Sequence, residues 1–152
     1  MTRDYRGTTA LITGASSGLG AGYATQLAAR GADVVLVARR EDRLRELADR
    51  LTRDHGVRAA SVPLDLTRAD AAAALRRELD ERRLRVQTLV NNAGFGMKGA
   101  FAEADAARIG EMVQINVSAL VAITRELLPE MVAGGRGALI GIASTGPYQP
   151  CP

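Results

Sequence analysis

The sequence predicts an α/β domain built on a doubly wound parallel sheet of five strands, with helices on both faces. Three observations predict it. Short apolar runs of strand length alternate with longer helical segments along the chain. The run Asp33–Ala38 contains Val-Val-Leu-Val, which is typical of a strand buried on both faces. Glycine or polar residues follow the apolar runs, and a length of 152 residues fits a single domain spanning 1–152.

The strands are predicted from the apolar runs and from the connections that bound them. In chain order they are Thr8–Thr13, Asp33–Ala38, Arg58–Val62, Val86–Asn91 and Ala138–Ala143. Because each strand is followed by a helical segment, neighbouring strands are expected to run parallel.

The helices are predicted from apolar spacing near 3.6 residues and from residues that end helices. In chain order they are Gly18–Arg30, Arg39–Asp54, Ala69–Arg82 and Ala104–Ala133. The second carries leucines on one face at Leu44, Leu47 and Leu51. Several residues at or near the helix ends support these bounds. Gly31 and Gly56 follow the first two helices as C-cap residues, and Thr67 or Asp70 is expected to cap the third.

The composition argues against several functions. The net charge is +3, but the basic residues are scattered arginines with a single lysine, Lys98, so nucleic-acid binding is not expected. Cys151 is the only cysteine, which excludes an internal disulfide and suggests no metal site. The only histidine, His55, is expected on the surface. We find no secretory leader and no run approaching a membrane span, so a cytoplasmic protein is expected.

A glycine-rich turn lies between the first strand and the first helix. The segment Thr13–Gly20 reads Thr-Gly-Ala-Ser-Ser-Gly-Leu-Gly. The first N–H groups of a helix have no partner within it, and the helix dipole favours an anion there. The turn offers permissive backbone at Gly14, Gly18 and Gly20 and hydroxyl donors at Ser16 and Ser17. The turn alone indicates either a phosphate site or an ordinary tight connection.

Polar residues follow all five predicted strands. They lie in Thr13–Gly20, Ala38–Arg40, Asp65-Leu66, Asn91–Gly94 and at Ser144. Because the carboxyl ends of parallel strands meet at one edge of the sheet, these segments are expected to converge on one ligand site. This convergence favours the phosphate site over the ordinary turn.

In these residues the chain resembles the short-chain dehydrogenase/reductase family over its whole length. The turn Thr13–Gly20 matches that family's cofactor motif, and Asn91–Gly94 (Asn-Asn-Ala-Gly) matches its second hallmark. Single residues match in register at Asp65, Asn116 and Ser144. The resemblance implies a Rossmann-like fold that binds NADP(H) or NAD(H) and an oxidoreductase acting on a small carbonyl or alcohol substrate. A nucleotide-sugar or methyl-transfer enzyme on a similar fold is a weaker alternative.

The resemblance also implies roles for particular residues. Cofactor contacts would come from Gly14, Ser16, Ser17, Gly18, Leu19, Gly20, Asp65, Leu66, Asn92, Ala93 and Gly94. Asp65 and Leu66 would hold the adenine, and Asn92 to Gly94 would pass beneath the ribose and nicotinamide. Ser144 would hydrogen-bond the substrate oxygen, and Asn116 would hold a water in the proton relay.

The end of the second strand predicts which cofactor is used. An NAD-selective site places an acidic residue there to bind the ribose 2′-hydroxyl. This chain has Ala38 followed by Arg39 and Arg40, and a guanidinium can pair with a 2′-phosphate through two hydrogen bonds. We therefore predict NADP(H), with Arg39 as the main contact. The alternative is that both arginines begin a solvated helix.

The family's general acid and its partner, in a Tyr-x-x-x-Lys motif after the serine, are not among the 152 residues. Tyr148 is not followed by a lysine at that spacing, and the pocket remnant is expected at Phe95, Gly96, Met97, Thr145 and Tyr148. The chain is therefore expected to be truncated relative to the family and inactive alone.

Two functions stay open: the cofactor-binding portion of an oxidoreductase, or a non-catalytic NADP(H)-binding module. Truncation would leave the last strand at an edge of the sheet, and homo-oligomerisation is plausible through the long helix. The apolar face expected to lack partners comprises Ile115, Leu120, Val121, Ile123, Leu127 and Leu128.

Overall fold

The computed structural model describes residues 4–144, and these form a five-stranded sheet in the order β3-β2-β1-β4-β5. The strands are β1 Thr9–Thr13, β2 Asp33–Ala38, β3 Ala59–Pro63, β4 Thr88–Asn91 and β5 Ala138–Gly141. Every pairing is parallel, which confirms the predicted fold class. The predictions for Thr145, Tyr148 and Cys151 fall outside the described residues.

Helices cover both faces of this sheet. They are α1 Gly18–Ala28, α2 Glu41–His55, α3 Ala71–Glu81, α4 Ala106–Val113 and α5 Ala119–Ala133. Successive residues of β1 point to opposite faces, so Ala10 and Ile12 pack with α1 and α2 while Leu11 packs with α3 and α5. An apolar layer thus packs on each face of the sheet. The polar residues lie outside these layers, at the carboxyl ends of the strands.

The long fourth helix is not one regular α-helix. Between α4 and α5 lies a π-helical segment, Gln114–Ser118, which has Asn116 at its centre. A short 3₁₀ turn, Phe101–Glu103, precedes α4. The predicted helical region, about Ala104–Ala133, is thus helical from Ala106 to Ala133, and the π segment within it is the part that was not predicted. A π segment widens the helix by one residue per turn, and such segments occur frequently at functional sites.

Among the described residues, the helical stretch Ala106–Ala133 is long and apolar enough to cross a membrane by length and composition. This finding corrects the expectation that no run approaches a membrane span. The indication is weak, because the core helix of a soluble protein passes the same test. Here Ile123, Leu127 and Met131 pack against the sheet.

The expected cap of α3 is also corrected. Asp70 occupies the N-cap position but makes no capping hydrogen bond. Its carboxylate instead accepts two hydrogen bonds from the Arg68 guanidinium, at 2.9 and 2.7 Å. The Thr67 hydroxyl donates to Asp65 Oδ1. The backbone at Asp70 (φ −91°, ψ 8°) is not in the extended conformation that a capping residue adopts, and its carboxylate is bonded to the arginine instead.

The residues predicted to form an unpartnered apolar face on the long helix differ in burial. Ile123 and Leu127 are buried against the sheet, and Ile115 and Leu120 are half-buried. The exposed residues form a stripe, which we call the outer stripe: Val113, Val117, Val121, Leu128 and Val132. The strand β5 lies at the sheet edge as expected, paired with β4 alone among the described strands.

Candidate functional site

The candidate site lies where the strand order reverses. The chain moves outward from β1 through β2 to β3, then returns so that β4 pairs on the other side of β1. A crevice forms outside the carboxyl ends of the strands at such a reversal, and ligands bind in it. The glycine-rich turn follows β1 and the segment Asn92–Gly94 follows β4, so the fold brings the two motifs together.

Each glycine of the turn is favoured over other residues for a different structural reason. Gly14 has φ +68°, and a Cβ there would come within 2.9 Å of both Asn92 Nδ2 and the Ala93 Cα. At Gly20, a Cβ would come within 2.6 Å of Asn92 Nδ2. Gly18 has φ +56° but open space where a Cβ would stand. Gly14 and Gly20 therefore allow close packing of the turn, whereas Gly18 is favoured by its left-handed backbone conformation.

The N-terminus of α1 is suited to an anion. Its first turn contains no acidic side chain, and the Ser17 side chain makes no capping bond to the helix N–H groups. Arg40 Nη2 donates to Ser16 Oγ at 3.1 Å and to Ser17 Oγ at 2.8 Å. Since a hydroxyl accepts and donates at once, both serines can still donate to a phosphate oxygen.

A buried threonine joins the two motifs, and the sequence reasoning gave it no role. Thr13 Oγ1 accepts hydrogen bonds from the backbone N–H groups of Asn92 and Ala93, each at 3.0 Å. The Asn92 amide in return donates to the Thr13 carbonyl oxygen at 3.0 Å. These bonds fix the segment after β4 against the turn after β1. The sequence contained a signal for this role, because Thr13 is the residue directly before Gly14 in the glycine-rich motif.

The crevice contains a smaller cavity of about 230 Å³ over the ends of β1 and β2. Its lining is Gly14, Ser16, Ser17, Ala38, Arg39, Arg40, Leu64, Leu66, Ala93, Gly94 and Ile115. The Arg39 guanidinium is exposed and has no hydrogen-bond or ion-pair partner among residues 4–144. The cavity thus combines apolar walls with a cation available to an anionic ligand.

Asp65 lies in the chain between two residues that line this cavity. Asp65 itself does not line the cavity, whereas its neighbours Leu64 and Leu66 do. Asp65 Oδ1 accepts from the Thr67 N–H at 3.0 Å and from the Thr67 hydroxyl at 2.9 Å. The bond from the Thr67 N–H is the main reason that the pKa of Asp65 lies below its ordinary value, and nearby Arg39 adds to the effect.

A larger cavity of about 680 Å³ continues the crevice toward β5 and the π segment. Its lining is Gly14, Ser17, Leu19, Asn92, Ala93, Gly94, Phe95, Gly96, Met112, Asn116, Leu120, Ile142, Ala143 and Ser144. Gly14, Ser17, Ala93 and Gly94 belong to both cavities, so the two form one continuous groove. Of the predicted site residues, Gly18, Gly20 and Asp65 do not line it, and Met97 of the predicted pocket remnant does not either.

Asn116 is held in the larger cavity by both ends of its amide. Its Oδ1 accepts from the Phe95 N–H at 3.0 Å, and its Nδ2 donates to the Phe95 carbonyl at 2.9 Å. A Cβ on Gly94 would come within 2.7 Å of Asn116 Oδ1, so Gly94 allows this approach. The side chain therefore fixes the loop after β4, a contact that the sequence did not reveal.

The fold and this groove define a nucleotide-binding α/β protein, and comparison with known proteins identifies the family. The short chain dehydrogenase family matches residues 8–152. This chain therefore belongs to the short-chain dehydrogenase family.

Two curated relatives show the extent of the match. The chain is 38% identical over 143 residues to sulfoacetaldehyde reductase 2 of Chromohalobacter salexigens, covering 91% of this chain and 56% of the relative. It is 38% identical over 148 residues to a fatty acyl-CoA reductase of Mycobacterium tuberculosis, covering 94% and 49%. The chain thus spans about half the length of the curated relatives it matches.

Solved structures agree with the fold. L-Sorbose reductase from Gluconobacter frateurii, complexed with NADPH and L-sorbose, matches with a TM-score of 0.89 at 38% identity, covering 95% of this chain and 55% of that one. A short-chain dehydrogenase from Sphingobium yanoikuyae in complex with NADPH matches with a TM-score of 0.86 at 41% identity, covering 94% and 56%.

Proposed function

We propose that this chain is the cofactor-binding portion of an NADP(H)-dependent oxidoreductase, which transfers hydride between nicotinamide and a small carbonyl or alcohol substrate. The family membership supports the reaction class, and NADPH-bound structural relatives support the cofactor. In this proposal the two halves of the groove take the two ends of the cofactor. The smaller cavity would take the adenosine 2′-phosphate end, and the larger would take the nicotinamide and the substrate.

The observation that carries the proposal is the charge at the end of β2. The smaller cavity holds two arginines, Arg39 and Arg40, and no carboxylate lines it within the described part of the chain. A carboxylate at this place would repel a 2′-phosphate, whereas a guanidinium binds it in a planar, two-bond geometry. Arg39 is the proposed main contact because its guanidinium has no other partner there, while Arg40 is bonded to Ser16 and Ser17.

Several residues have proposed roles around the reaction. NADPH, when bound, supplies the hydride. The N-terminus of α1 and the hydroxyls of Ser16 and Ser17 would bind its diphosphate. Ser144 would donate a hydrogen bond to the substrate carbonyl oxygen and favour negative charge there. Asn116 would keep the loop after β4 in place beside the nicotinamide, and it stays a candidate for the family's proton relay.

The second candidate function is a binding module without turnover. No tyrosine or lysine lines either cavity in the part of the chain that the structure describes. The described residues that line the cavities therefore offer no tyrosine–lysine pair to act as general acid toward the substrate oxygen. We propose that the chain of 152 residues binds NADP(H) and does not turn it over. Oxidation of NADPH by the purified chain with a panel of ketones would contradict this.

Arg39→Asp tests the cofactor assignment. We expect the variant to bind NADPH at least about tenfold more weakly, because a carboxylate replaces a charge-assisted hydrogen bond to phosphate. Binding of NADH, which lacks the phosphate, should be no weaker than in the unaltered chain, because a carboxylate at the end of β2 can accept a hydrogen bond from the ribose 2′-hydroxyl. Calorimetric titration measures both, and Arg43→Asp on the exposed surface of α2 is the matched control. An unchanged ratio of the two affinities would refute the role of Arg39.

Oligomer formation and location stay predictions. The outer stripe is the surface that would carry a homo-oligomer, because several exposed apolar side chains lie along one helix face. Sedimentation velocity of the purified chain measures this directly. A cytoplasmic location, independent of membranes, is the proposed setting, and cell fractionation tests it.

A further inference from the structure

Phe95 contributes an aromatic ring to the wall of the larger cavity. It follows β4 in an irregular segment, between Gly94 and Gly96. Glycine on both sides makes the backbone unusually permissive, so the sequence alone does not fix the direction of this ring. Something else must hold it if the wall is to keep one shape.

Two contacts hold Phe95, and they act on different parts of the residue. The amide of Asn116 bonds the Phe95 N–H and carbonyl, which fixes the backbone. The guanidinium of Arg108 lies over the ring, with its carbon 3.9 Å from the ring centroid. This distance is well within the range of a cation–π interaction.

Arg108 is itself held in place. Its Nη1 donates to Glu111 Oε2 at 2.6 Å, one turn further along α4. The helix α4 begins with a capping bond, in which Asp105 Oδ1 accepts from the Ala107 N–H at 3.1 Å. The guanidinium therefore meets the ring from a fixed helix, and little freedom is lost when the contact forms.

The larger cavity has an uncharged lining. None of the described residues lining that cavity carries a charge, and Arg108 is not among them. Its positive charge is shared between the Phe95 ring and the Glu111 carboxylate. The wall that a bound ring would meet is thus aromatic and neutral.

We propose that Arg108 is a positioning residue for the nicotinamide end of the groove, acting through the Phe95 ring. The inference rests on the proposed function, because it takes the larger cavity as the place of the nicotinamide. When the cation is removed, the ring loses its fixed direction and the wall of the larger cavity opens. The smaller cavity, which lies over β1 and β2, keeps its shape.

The test uses the chain with ¹³C-labelled phenylalanine. Because the chain contains two phenylalanines, Phe95 and Phe101, the variant Phe101→Leu assigns their ring signals. Arg108→Met removes the cation and keeps the aliphatic stem. We expect the Phe95 ring signals to shift in this variant. We also expect NADPH to bind about two- to fivefold more weakly, the range of an exposed cation–π contact.

A ligand without nicotinamide separates positioning from general damage. Adenosine 2′,5′-diphosphate should bind Arg108→Met and the unaltered chain equally, since it occupies the smaller cavity alone. Arg108→Lys retains the cation and should restore part of the NADPH affinity. The control is Arg43→Met, because Arg43 is also an exposed helical arginine with a glutamate three residues on, Glu46, at 3.9 Å. It should change neither the ring signals nor either affinity.

The outcomes distinguish failure of the proposed NADP(H) function from failure of the proposed role of Arg108. If the unaltered chain binds neither ligand, the proposed function fails. If it binds NADPH, and Arg108→Met binds NADPH equally well with unmoved Phe95 signals, the role of Arg108 is wrong. Equal weakening of both ligands also overturns it. If Arg108→Met does not fold, Glu111→Gln provides a second test, because it removes the carboxylate that holds the Arg108 guanidinium. This variant should shift the Phe95 ring signals and bind NADPH more weakly, with unchanged affinity for adenosine 2′,5′-diphosphate.

Discussion

The carboxyl ends of β1 and β4 differ sharply from the outer edge formed by β5 and α5. At the first region, Thr13, Asn92 and Gly14 lie in contact, and the strands β1 and β4 are buried on both faces. At the second region, burial alternates along β5, and Leu139 is 48% exposed. Val132, at the end of the outer stripe, is 69% exposed.

The difference shows which part of the site this chain specifies by its own contacts. The smaller cavity, the proposed adenosine side, is lined by the end of β2, by the segments that follow β1, β2, β3 and β4, and by Ile115. The larger cavity, the proposed nicotinamide side, continues toward β5, where Leu139 is half exposed. Apolar side chains on an edge strand are commonly covered by further polypeptide or by a partner. The matched relatives are about twice as long as this chain.

The largest effect is expected from Gly20→Ala. The new methyl group would come within 2.6 Å of Asn92 Nδ2, and closer to the Gly14 carbonyl oxygen. We expect a loss of about 2–4 kcal/mol in unfolding free energy and loss of NADPH binding. The control Gly22→Ala lies on the same helix with open space around it, so it should stabilise the chain by up to about 1 kcal/mol. Urea unfolding measures both, and equal effects would contradict the close packing of the turn.

Thr13→Val should have the next largest effect. It removes the acceptor of the Asn92 and Ala93 N–H groups and leaves two donors unpaired, at a cost of about 1–3 kcal/mol. Thr25→Val is the matched control, because that hydroxyl bonds only a carbonyl of its own helix. Similar losses in the two variants would show that the motifs are not joined through Thr13.

A smaller, pH-dependent effect is expected from Asp65→Asn. Because the pKa of Asp65 is lowered in the folded chain, its charge stabilises the fold above the ordinary carboxyl pKa, and this contribution is lost as the pH falls through the lowered value. At pH 7 the free energy of unfolding of the unaltered chain should exceed that of the variant by less than about 1 kcal/mol. This difference in unfolding free energy should vanish toward pH 2. Thermal unfolding across this range measures it. A difference that grew on acidification would contradict the assigned direction.

Leu139→Thr should have the smallest effect, within about 0.5 kcal/mol, because the side chain is half exposed on the edge strand. The paired position Leu89 on β4 is fully buried, and Leu89→Thr should cost several times more. Comparable losses by urea unfolding would show that the edge of β5 is covered in solution.

Periodicity and the glycine motifs predicted the succession of strands along the chain and their parallel direction, because burial on both faces leaves a clear apolar run such as Asp33–Ala38. They did not predict the π segment, since a change of hydrogen-bond register inside a helix hardly alters apolar spacing. Convergence of the strand ends predicted most of the groove lining. The bonds of Arg40 to Ser16 and Ser17, of Asn116 to Phe95, and of Asp70 to Arg68 depend on side chains meeting in three dimensions. Residue spacing alone does not encode them.

The most direct test of the account is the ratio of NADPH to NADH affinity for the unaltered chain, measured by calorimetry at one ionic strength. The account predicts that NADPH binds at least about tenfold more tightly, through phosphate contacts at the end of β2. Equal affinities, or tighter binding of NADH, would contradict the assignment of the groove to NADP(H).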